Sequence, residues 1–207
     1  ALFTTQLSST YPSYVPDYKL DDTAVLADAS FMSMLISYAL QILKKEHGTF
    51  SNIVFLQPLI IQTKSFPFLQ LIVNKASGAF EIISYKDKGS TNLTTHATGK
   101  FIPSCWKSEP SLDFECLRQS LNKEYQSVDL IEQAKNQGMH LGPHFQWIER
   151  ISYHDTELLA TLRHPEAHEK EGYDLYPGLL DAAFQAMLVW SKFNLPKTMD
   201  QLSFKRV

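Results

Sequence analysis

The sequence lacks the features that mark several common protein classes. It contains 2 cysteines among 207 residues, Cys105 and Cys116, and so few cysteines favour a reducing compartment, which leads us to expect a cytoplasmic protein. No stretch approaches the roughly 20 consecutive apolar residues of a membrane-spanning helix. There is no basic surplus either, because 19 Lys and Arg stand against 22 Asp and Glu. We therefore expect neither a nucleic acid nor a membrane as a partner.

The motifs of familiar enzyme classes are also missing. The sequence has no HExxH or Cys–His spacing for a metal, no GxGxxG or P-loop for a nucleotide, and no GxSxG for a nucleophile. We accordingly expect no metal and no bound cofactor. What the sequence does have is apolar material, since 44% of its residues are hydrophobic and only 20% are charged. That composition excludes intrinsic disorder and suits one sizeable domain or two fused halves.

Two amphipathic helices are predicted far apart in the chain. Residues 32–43 and 180–188 both place apolar side chains at i, i+3, i+4, i+7 and i+8, which is one face of a helix. Ser30 is a candidate cap for the first helix. Hydrophobic segments separated by turn residues predict four strands after that helix, at residues 53–62, 67–73, 79–86 and 92–101.

The repeated order of helix and strands predicts an α+β fold made of two helix-wrapped antiparallel sheets in tandem. The first unit spans residues 1–102, a linker with two short polar helices spans residues 103–138, and the second unit spans residues 139–207. Only one strand, at residues 199–207, follows the second helix, so we expect the second unit to be incomplete at its C-terminus. Because the first residue is not a methionine, we expect the chain to be a piece of a longer protein.

Five short motifs, in order along the chain, resemble the dehydratase domains of modular polyketide synthases. They are residues 52–59 (NIVFLQPL), 96–99 (HATG), 142–145 (GPHF), 176–185 (YPGLLDAAFQ) and 195–202 (LPKTMDQL). The resemblance implies a double-hotdog fold, in which each sheet wraps around one helix. It also implies that the ligand is an acyl chain on the phosphopantetheine arm of an acyl carrier protein. A neighbouring ketosynthase and a second copy of the chain, forming a homodimer, are the further partners that it implies.

Dehydration in that family needs a base and an acid on opposite sides of a narrow channel. A His removes a proton from C2 of a 3-hydroxyacyl thioester, and an Asp donates a proton to the leaving hydroxyl. By resemblance, Asp181 falls on the acid position, and Gln185 one helical turn later matches its usual partner. The family's HxxxGxxxxP motif falls on Tyr18, Asp22 and Ala27, so that Tyr18 stands where the catalytic His is expected.

These replacements predict a degenerate site. A Tyr with an ordinary pKa near 10 is almost fully protonated at pH 7, and nearby carboxylates such as Asp22 and Asp28 would raise that pKa further. Both carboxylates would also repel negative charge on a thioester oxygen. Leu141 replaces the Tyr of the family's YGP turn, and Tyr176 replaces the His of its HPxLLD segment. The predicted channel residues are Tyr18, Asp22, Leu141, His144, Tyr176 and Gln185, with Asp181 as the catalytic acid.

We therefore expect a dehydratase-like domain that binds or positions a carrier-tethered acyl chain without dehydrating it, similar in kind to branching-type domains beside a ketosynthase. One alternative is an enzyme with altered chemistry, either a cyclisation, a double-bond shift or a slow dehydration. In that case Asp181 acts alone or with His140 or His144. Another alternative is an acyl-binding or interaction module that shares only the fold. A ketosynthase or carrier domain in the flanking sequence would separate the first interpretation from the third.

Overall fold

The computed structural model of the chain describes residues 2–43, 48–64, 66–103, 112–154, 157–164 and 172–194. Its first half contains β1 (Leu2–Gln6), β2 (Tyr18–Leu20), β3 (Thr23–Leu26), α1 (Asp28–Ser37), β4 (Gly48–Phe55), β5 (Leu59–Ile61), β6 (Phe68–Val73), β7 (Ala79–Tyr85) and β8 (Thr94–Pro103). Its second half contains α2 (Phe114–Ser120), β9 (Lys123–Gln126), α3 (Ser127–Asn136), β10 (Met139–Leu141), β11 (Ile148–Tyr153), β12 (Leu158–Leu162) and α4 (Pro177–Asn194).

A five-stranded antiparallel sheet packs against α1 and forms the first predicted unit. Its strand order is β1-β6-β7-β8-β4. The helix directs the fully buried ring of Phe31 onto the sheet, where it lies 6.5 Å from the Phe55 ring and 5.8 Å from the His96 ring. Strands β6, β7 and β8 confirm three predicted strands to within two residues, because their alternating hydrophobic pattern matches a sheet with one buried face.

The predicted strand at residues 53–62 is wrong as a single element. The structure divides it between β4, at the edge of the five-stranded sheet, and β5, at the edge of a second sheet. Pro58 lies between the two strands and has no backbone N–H to donate to a ladder. The chain therefore leaves one sheet and enters the next at this proline.

A four-stranded sheet, with the order β10-β2-β3-β5, joins the two halves of the chain. Within it Tyr18 pairs with Leu141, and Lys19 pairs with His140. The sequence did not predict β2, β3 or β10, since each has only three or four residues and the segment around residues 10–30 has irregular composition. The pairing brings the segment before α1 directly beside the segment that opens the second unit.

The second unit contains a three-stranded sheet, with the order β12-β11-β9, that packs against α4. The hydrophobic pattern predicts strands at residues 146–153 and 157–163, and β11 and β12 confirm both. The predicted linker at residues 103–138 is more than a linker, because its strand β9 pairs along β11 from Arg150 to Tyr153. The strand predicted at residues 199–207 lies outside the described residues.

The first helix begins earlier than predicted and changes its geometry at its end. It starts at Asp28 with Ala27 as its N-terminal cap residue, so Ser30 is a buried residue inside the first turn and not the cap. After Ser37 the hydrogen bonding changes to a π-helical turn over Tyr38–Ile42. The predicted stretch of residues 32–43 is thus helical throughout, but not α-helical throughout.

Helices α1 and α4 pack against each other, and the segment leading into α4 is tied to α1. The Ser33 hydroxyl donates to the Leu175 carbonyl at 2.6 Å, and the Gln41 amide donates to the Asp174 carboxylate at 2.7 Å. These bonds connect the central helices of the two units. The N-terminal part of α4 is consequently held beside the elements that carry the candidate site.

Replacement of a buried central side chain should unfold the domain far more easily than the same change at an edge. Ile82 in β7 is 0% exposed, whereas Ile60 in β5 is 53% exposed. We expect Ile82→Ala to lower the free energy of unfolding by about 2–5 kcal/mol, because it leaves a cavity in the core. Ile60→Ala should cost less than about 1 kcal/mol. Urea unfolding of the two variants checks this, and equal losses would contradict the described burial.

Candidate functional site

Tyr18 lies where the two halves of the chain meet. It is the first residue of β2, it pairs with Leu141 across the small sheet, and its side chain is half-buried. Its ring packs edge-on against the fully buried Phe145 ring, with 4.9 Å between centroids. Tyr18 therefore lies at a junction formed by residues of both units.

Asp181 supplies the opposite side of this site from α4. Its side chain is 4% exposed, and the Gln185 amide donates to its Oδ2 atom at 2.7 Å. The same amide nitrogen also donates to the Phe145 carbonyl at 3.1 Å. The resemblance implied this partnership, and the spacing of four residues places both side chains on one helix face. The Phe145 contact was not predicted, because it depends on the approach of a separate turn.

A second carboxyl group, that of Asp28 at the start of α1, belongs to the same cluster as Asp181. Its half-buried carboxyl and that of Asp181 are close enough to influence one another, and both influence Tyr18. Burial raises the pKa of Asp28 to about 6. Burial also raises the pKa of Asp181 to about 7, and the Asp28 charge acts in the same direction, while the hydrogen bond from Gln185 opposes them.

Burial and the two carboxyl groups also act on Tyr18. Burial is the larger cause, and the charges of Asp181 and Asp28 add to it, so the pKa of Tyr18 is raised well above its ordinary value of 10.0. The Tyr18 hydroxyl is consequently protonated throughout the neutral range. A protonated phenol can donate a hydrogen bond.

His144 is fixed beside the site by a residue of the first half. The Asp17 carboxylate accepts hydrogen bonds from the His144 backbone N–H at 2.9 Å and from its ring Nδ1 at 2.7 Å, through the same Oδ2 atom. The Asp17 carbonyl accepts from the Gly142 N–H at 2.7 Å. Asp17 thus binds the 3-10 turn Pro143–Phe145 at several points.

The remaining predicted channel residues divide into two groups. Leu141 and Tyr176 are buried and lie at the same junction, where the Tyr176 ring is 6.4 Å from the His144 ring. Asp22 does not join them, because it is exposed in the tight turn between β2 and β3. It lines a separate surface depression together with Lys19 and Thr23. The prediction of Asp22 as a channel residue therefore lacks support in the geometry.

The structure also adds residues to the site that the channel prediction omitted. Asp17 binds the turn that contains His144. Asp28 adds a carboxyl group beside Asp181. Phe145 adds a ring that packs on Tyr18 and a carbonyl that accepts from Gln185. Phe145 was part of a family-like motif, and Asp28 was noted only for its charge. Nothing in the sequence indicated that Asp17 would reach a turn 127 residues away.

Among the described residues, His96 and His140 lie away from the cluster. His96 is 1% exposed in β8, where its Nδ1 donates to the Gln57 carbonyl at 2.9 Å, so that Nε2 accepts from the Ser84 hydroxyl at 2.7 Å. Burial lowers the pKa of His96. These bonds give His96 a role in packing. His140 is exposed in β10, on the strand that pairs with β2.

Within the ranges that the structure describes, His, Cys, Asp and Glu form no group of three or more that could hold a metal ion. In the same ranges, no helix has the length and apolar character needed to cross a membrane.

Two family models match the chain and leave little of it unmatched. Residues 1–85 match the polyketide synthase dehydratase domain, and residues 109–206 match the polyketide synthase dehydratase N-terminal domain. The chain is a dehydratase-like domain of a polyketide synthase. It is also 24% identical over 143 residues to polyketide synthase PksN of Bacillus subtilis (strain 168), covering 65% of this chain but only 3% of that protein.

Solved dehydratase structures confirm the double-hotdog fold of this dehydratase-like domain. The dehydratase domain from the CurJ module of the curacin polyketide synthase superimposes with a TM-score of 0.85 at 22% identity, covering 99% of this chain and 72% of that one. An inactive CurJ variant, in which a histidine is replaced by phenylalanine, gives a TM-score of 0.83 at 24% identity, with coverage of 99% and 72%. The solved domains thus contain residues with no counterpart here, which agrees with an incomplete second hotdog.

Asp181 should make the stability of the domain fall as the pH rises. Its pKa is raised from 3.8 to about 7, so the folded state keeps a proton that the unfolded chain has already lost. The stabilisation is complete below pH 4 and disappears as the pH passes 7. Asp181→Asn imitates the protonated acid and should raise stability at pH 8 by a few kcal/mol, since each pKa unit corresponds to about 1.4 kcal/mol.

Thermal unfolding at pH 4 and pH 8 measures this effect. The exposed Asp87→Asn serves as a control for the loss of one negative charge. If Asp181→Asn destabilised the domain at pH 8 as much as at pH 4, a protonated and buried Asp181 would be excluded.

Proposed function

We propose that this dehydratase-like domain binds and positions an acyl chain on the phosphopantetheine arm of a carrier protein, without removing water from it. The observation that carries the proposal is the position of Tyr18 at the junction of the two halves of the chain, where the charge of the buried acid Asp181 acts on it. In the family pattern this position belongs to the base. The domain therefore keeps an acid and lacks its partner.

The physical basis is the protonation state of Tyr18. Removal of a proton from C2 of a thioester requires a base that is free to accept it near neutral pH. Burial and two carboxyl groups hold the pKa of Tyr18 above its ordinary value, so its phenolate is scarcely populated. Ionisation of Asp181 or Asp28 strengthens this effect and does not relieve it, because both bring like charge to the site.

One solved relative supports the need for a histidine in this kind of domain. The CurJ dehydratase in which one histidine is replaced by phenylalanine is an inactive mutant. Like phenylalanine, a tyrosine in place of the histidine supplies an aromatic ring. Its hydroxyl does not act as a base, because burial and nearby carboxyl groups raise the pKa of Tyr18. We infer that the present domain has undergone an equivalent loss by natural substitution.

The groups that remain are suited to binding. The Tyr18 hydroxyl and the protonated Asp181 carboxyl both donate hydrogen bonds, which matches the hydroxyl and carbonyl oxygens of a 3-hydroxyacyl thioester. Leu141 and Phe145 are buried apolar residues beside Tyr18, so the two donors lie in a largely apolar environment. We propose the carrier protein as the direct partner and an adjacent ketosynthase as the enzyme that uses the positioned chain, as in a branching-type arrangement. The homodimer stays a prediction.

The proposal is tested with a carrier protein loaded with a 3-hydroxyacyl chain. Incubation with the domain should leave the mass of the loaded carrier unchanged, while a titration should show that the loaded carrier binds more tightly than the unloaded one. Intact-protein mass spectrometry and calorimetry give the two readouts. Loss of one water in a domain-dependent manner would contradict the proposal, and so would equal affinity for loaded and unloaded carrier.

Restoring the base should restore the chemistry. We expect Tyr18→His to increase the rate of water loss by about 10²-fold or more over the wild type, because a positioned general base contributes about that much. Tyr18→Phe is the matched control, since it retains the ring and removes the hydroxyl, and it should stay at the wild-type baseline. A wild-type turnover that Tyr18→Phe abolished would show that Tyr18 itself is catalytic.

A second candidate function is supported by Asp181. A carboxyl with a pKa of about 7 exchanges a proton readily at neutral pH, which suits a cyclisation or a double-bond shift. His144, held by Asp17, is a further proton-transfer group at the same junction. If the loaded carrier changes in any way, Asp181→Asn should reduce that turnover by at least about tenfold. Unchanged turnover in this variant would remove Asp181 from the mechanism.

A further inference from the structure

Asp17 lies immediately before Tyr18 and contacts the turn that supports Asp181. Its carboxylate Oδ2 accepts from the backbone N–H and the ring Nδ1 of His144, and its carbonyl accepts from Gly142. These contacts cross from the first half of the chain to the second. They occur where the side chains are mostly buried, with 21% of the Asp17 side chain and 13% of the His144 side chain exposed.

The turn held by Asp17 is itself part of the support of the acid. The Phe145 carbonyl accepts from the Gln185 amide at 3.1 Å, and the same nitrogen donates to Asp181 Oδ2 at 2.7 Å. A continuous series of bonded groups thus runs from Asp17 through the turn and Gln185 to the Asp181 carboxyl. Tyr18 is attached to the other end of this series by one peptide bond.

Close packing fixes the turn from both sides. A Cβ atom at Gly142 would overlap the Asp17 carboxylate, and a Cβ atom at Gly178 in the first turn of α4 would overlap the His144 carbonyl oxygen. That carbonyl also accepts from the Trp147 indole N–H at 3.1 Å. The two glycines allow the turn to contact Asp17 on one side and α4 on the other. Because this packing leaves no free space, the turn cannot move without displacing one of them.

We infer that Asp17 is a positioning residue, which clamps the turn at residues 142–145 and thereby sets the placement of Gln185 on Asp181, opposite Tyr18. The clamp depends on the carboxylate, because one of its oxygens accepts from two donors of His144 and hydrogen bonds to a charged acceptor are stronger than those to a neutral amide oxygen. Its effect on ligand binding rests on the proposed function, whereas its effect on Asp181 does not.

The titration of Asp181 provides a readout that distinguishes positioning from simple loss of charge. The groups that face Asp181 are Tyr18 from β2, Asp28 from α1 and Gln185 from its own helix. Removal of a negative charge at residue 17 can only lower the pKa of Asp181 or leave it unchanged. Displacement of the Gln185 amide does the opposite and raises that pKa, since the hydrogen bond stabilises the ionised form.

The experiment uses the whole chain labelled with carbon-13 at the Asp carboxyl groups, and Asp181→Asn assigns the Asp181 resonance. We expect Asp17→Asn to raise the pKa of Asp181 by about 0.5–1 unit, in the direction of a lost hydrogen bond. Gln185→Leu removes the donor itself and should produce a rise at least as large. Asp87→Asn, a distant exposed carboxyl, should leave the titration unchanged.

The milder His144→Ala variant keeps the backbone bond to Asp17 and loses the ring bond, so we expect a smaller rise in the same direction. If Asp17→Asn fails to fold, His144→Ala replaces it as the test of the clamp. A pKa of Asp181 that is unchanged or lowered in a folded variant, while Gln185→Leu raises it, would overturn the inference. Affinity for the loaded carrier is measured in parallel, and a failure of the wild type to bind it would refute the proposed function alone.

Discussion

The site depends on one constraint, which is the burial of the Asp181 carboxyl against the Gln185 amide. Burial of a carboxyl favours its protonated form, and Asp28 nearby strengthens that preference. The Gln185 nitrogen that donates to Asp181 also donates to the Phe145 carbonyl. The site is therefore held by three elements together. They are the turn at residues 142–145, helix α4 and the small sheet that carries Tyr18.

The proposed function requires that a dehydratase-like fold loses its chemistry and remains folded, and this arrangement is compatible with both. Replacement of a base by Tyr18 leaves an aromatic ring that packs on Phe145 and a hydroxyl that needs no charge. The acid is retained because it is part of the packing between the units as well as part of the site. Binding or positioning an acyl chain requires hydrogen-bond donors, such as the Tyr18 hydroxyl and the protonated Asp181 carboxyl, but it does not require a base.

The hydrophobic periodicity predicted two helix-and-sheet units in tandem, and the resemblance to polyketide synthase dehydratases implied the double hotdog and the Asp181–Gln185 pair. It failed where the determinants are distant along the chain. Strands β2 and β10 are too short to show a pattern alone, and each exists because the other pairs with it. Asp22 and Asp28 looked alike as carboxylates near Tyr18, but a tight turn exposes Asp22 while α1 carries Asp28 into the cluster. The contact between Asp17 and His144 has no sequence signal at all.

The central claim is that Tyr18 remains protonated and is not available as a base. Carbon-13 labelling at the ring Cζ atoms, with Tyr18→Phe for assignment, reports the ionisation of Tyr18 directly as the pH is raised from 6 to about 11, a range that spans the ordinary tyrosine pKa near 10. The account predicts that the Tyr18 resonance keeps the chemical shift of a neutral phenol while exposed tyrosines titrate. A Tyr18 that ionised below its ordinary value, near neutral pH, would supply the missing base and contradict the account.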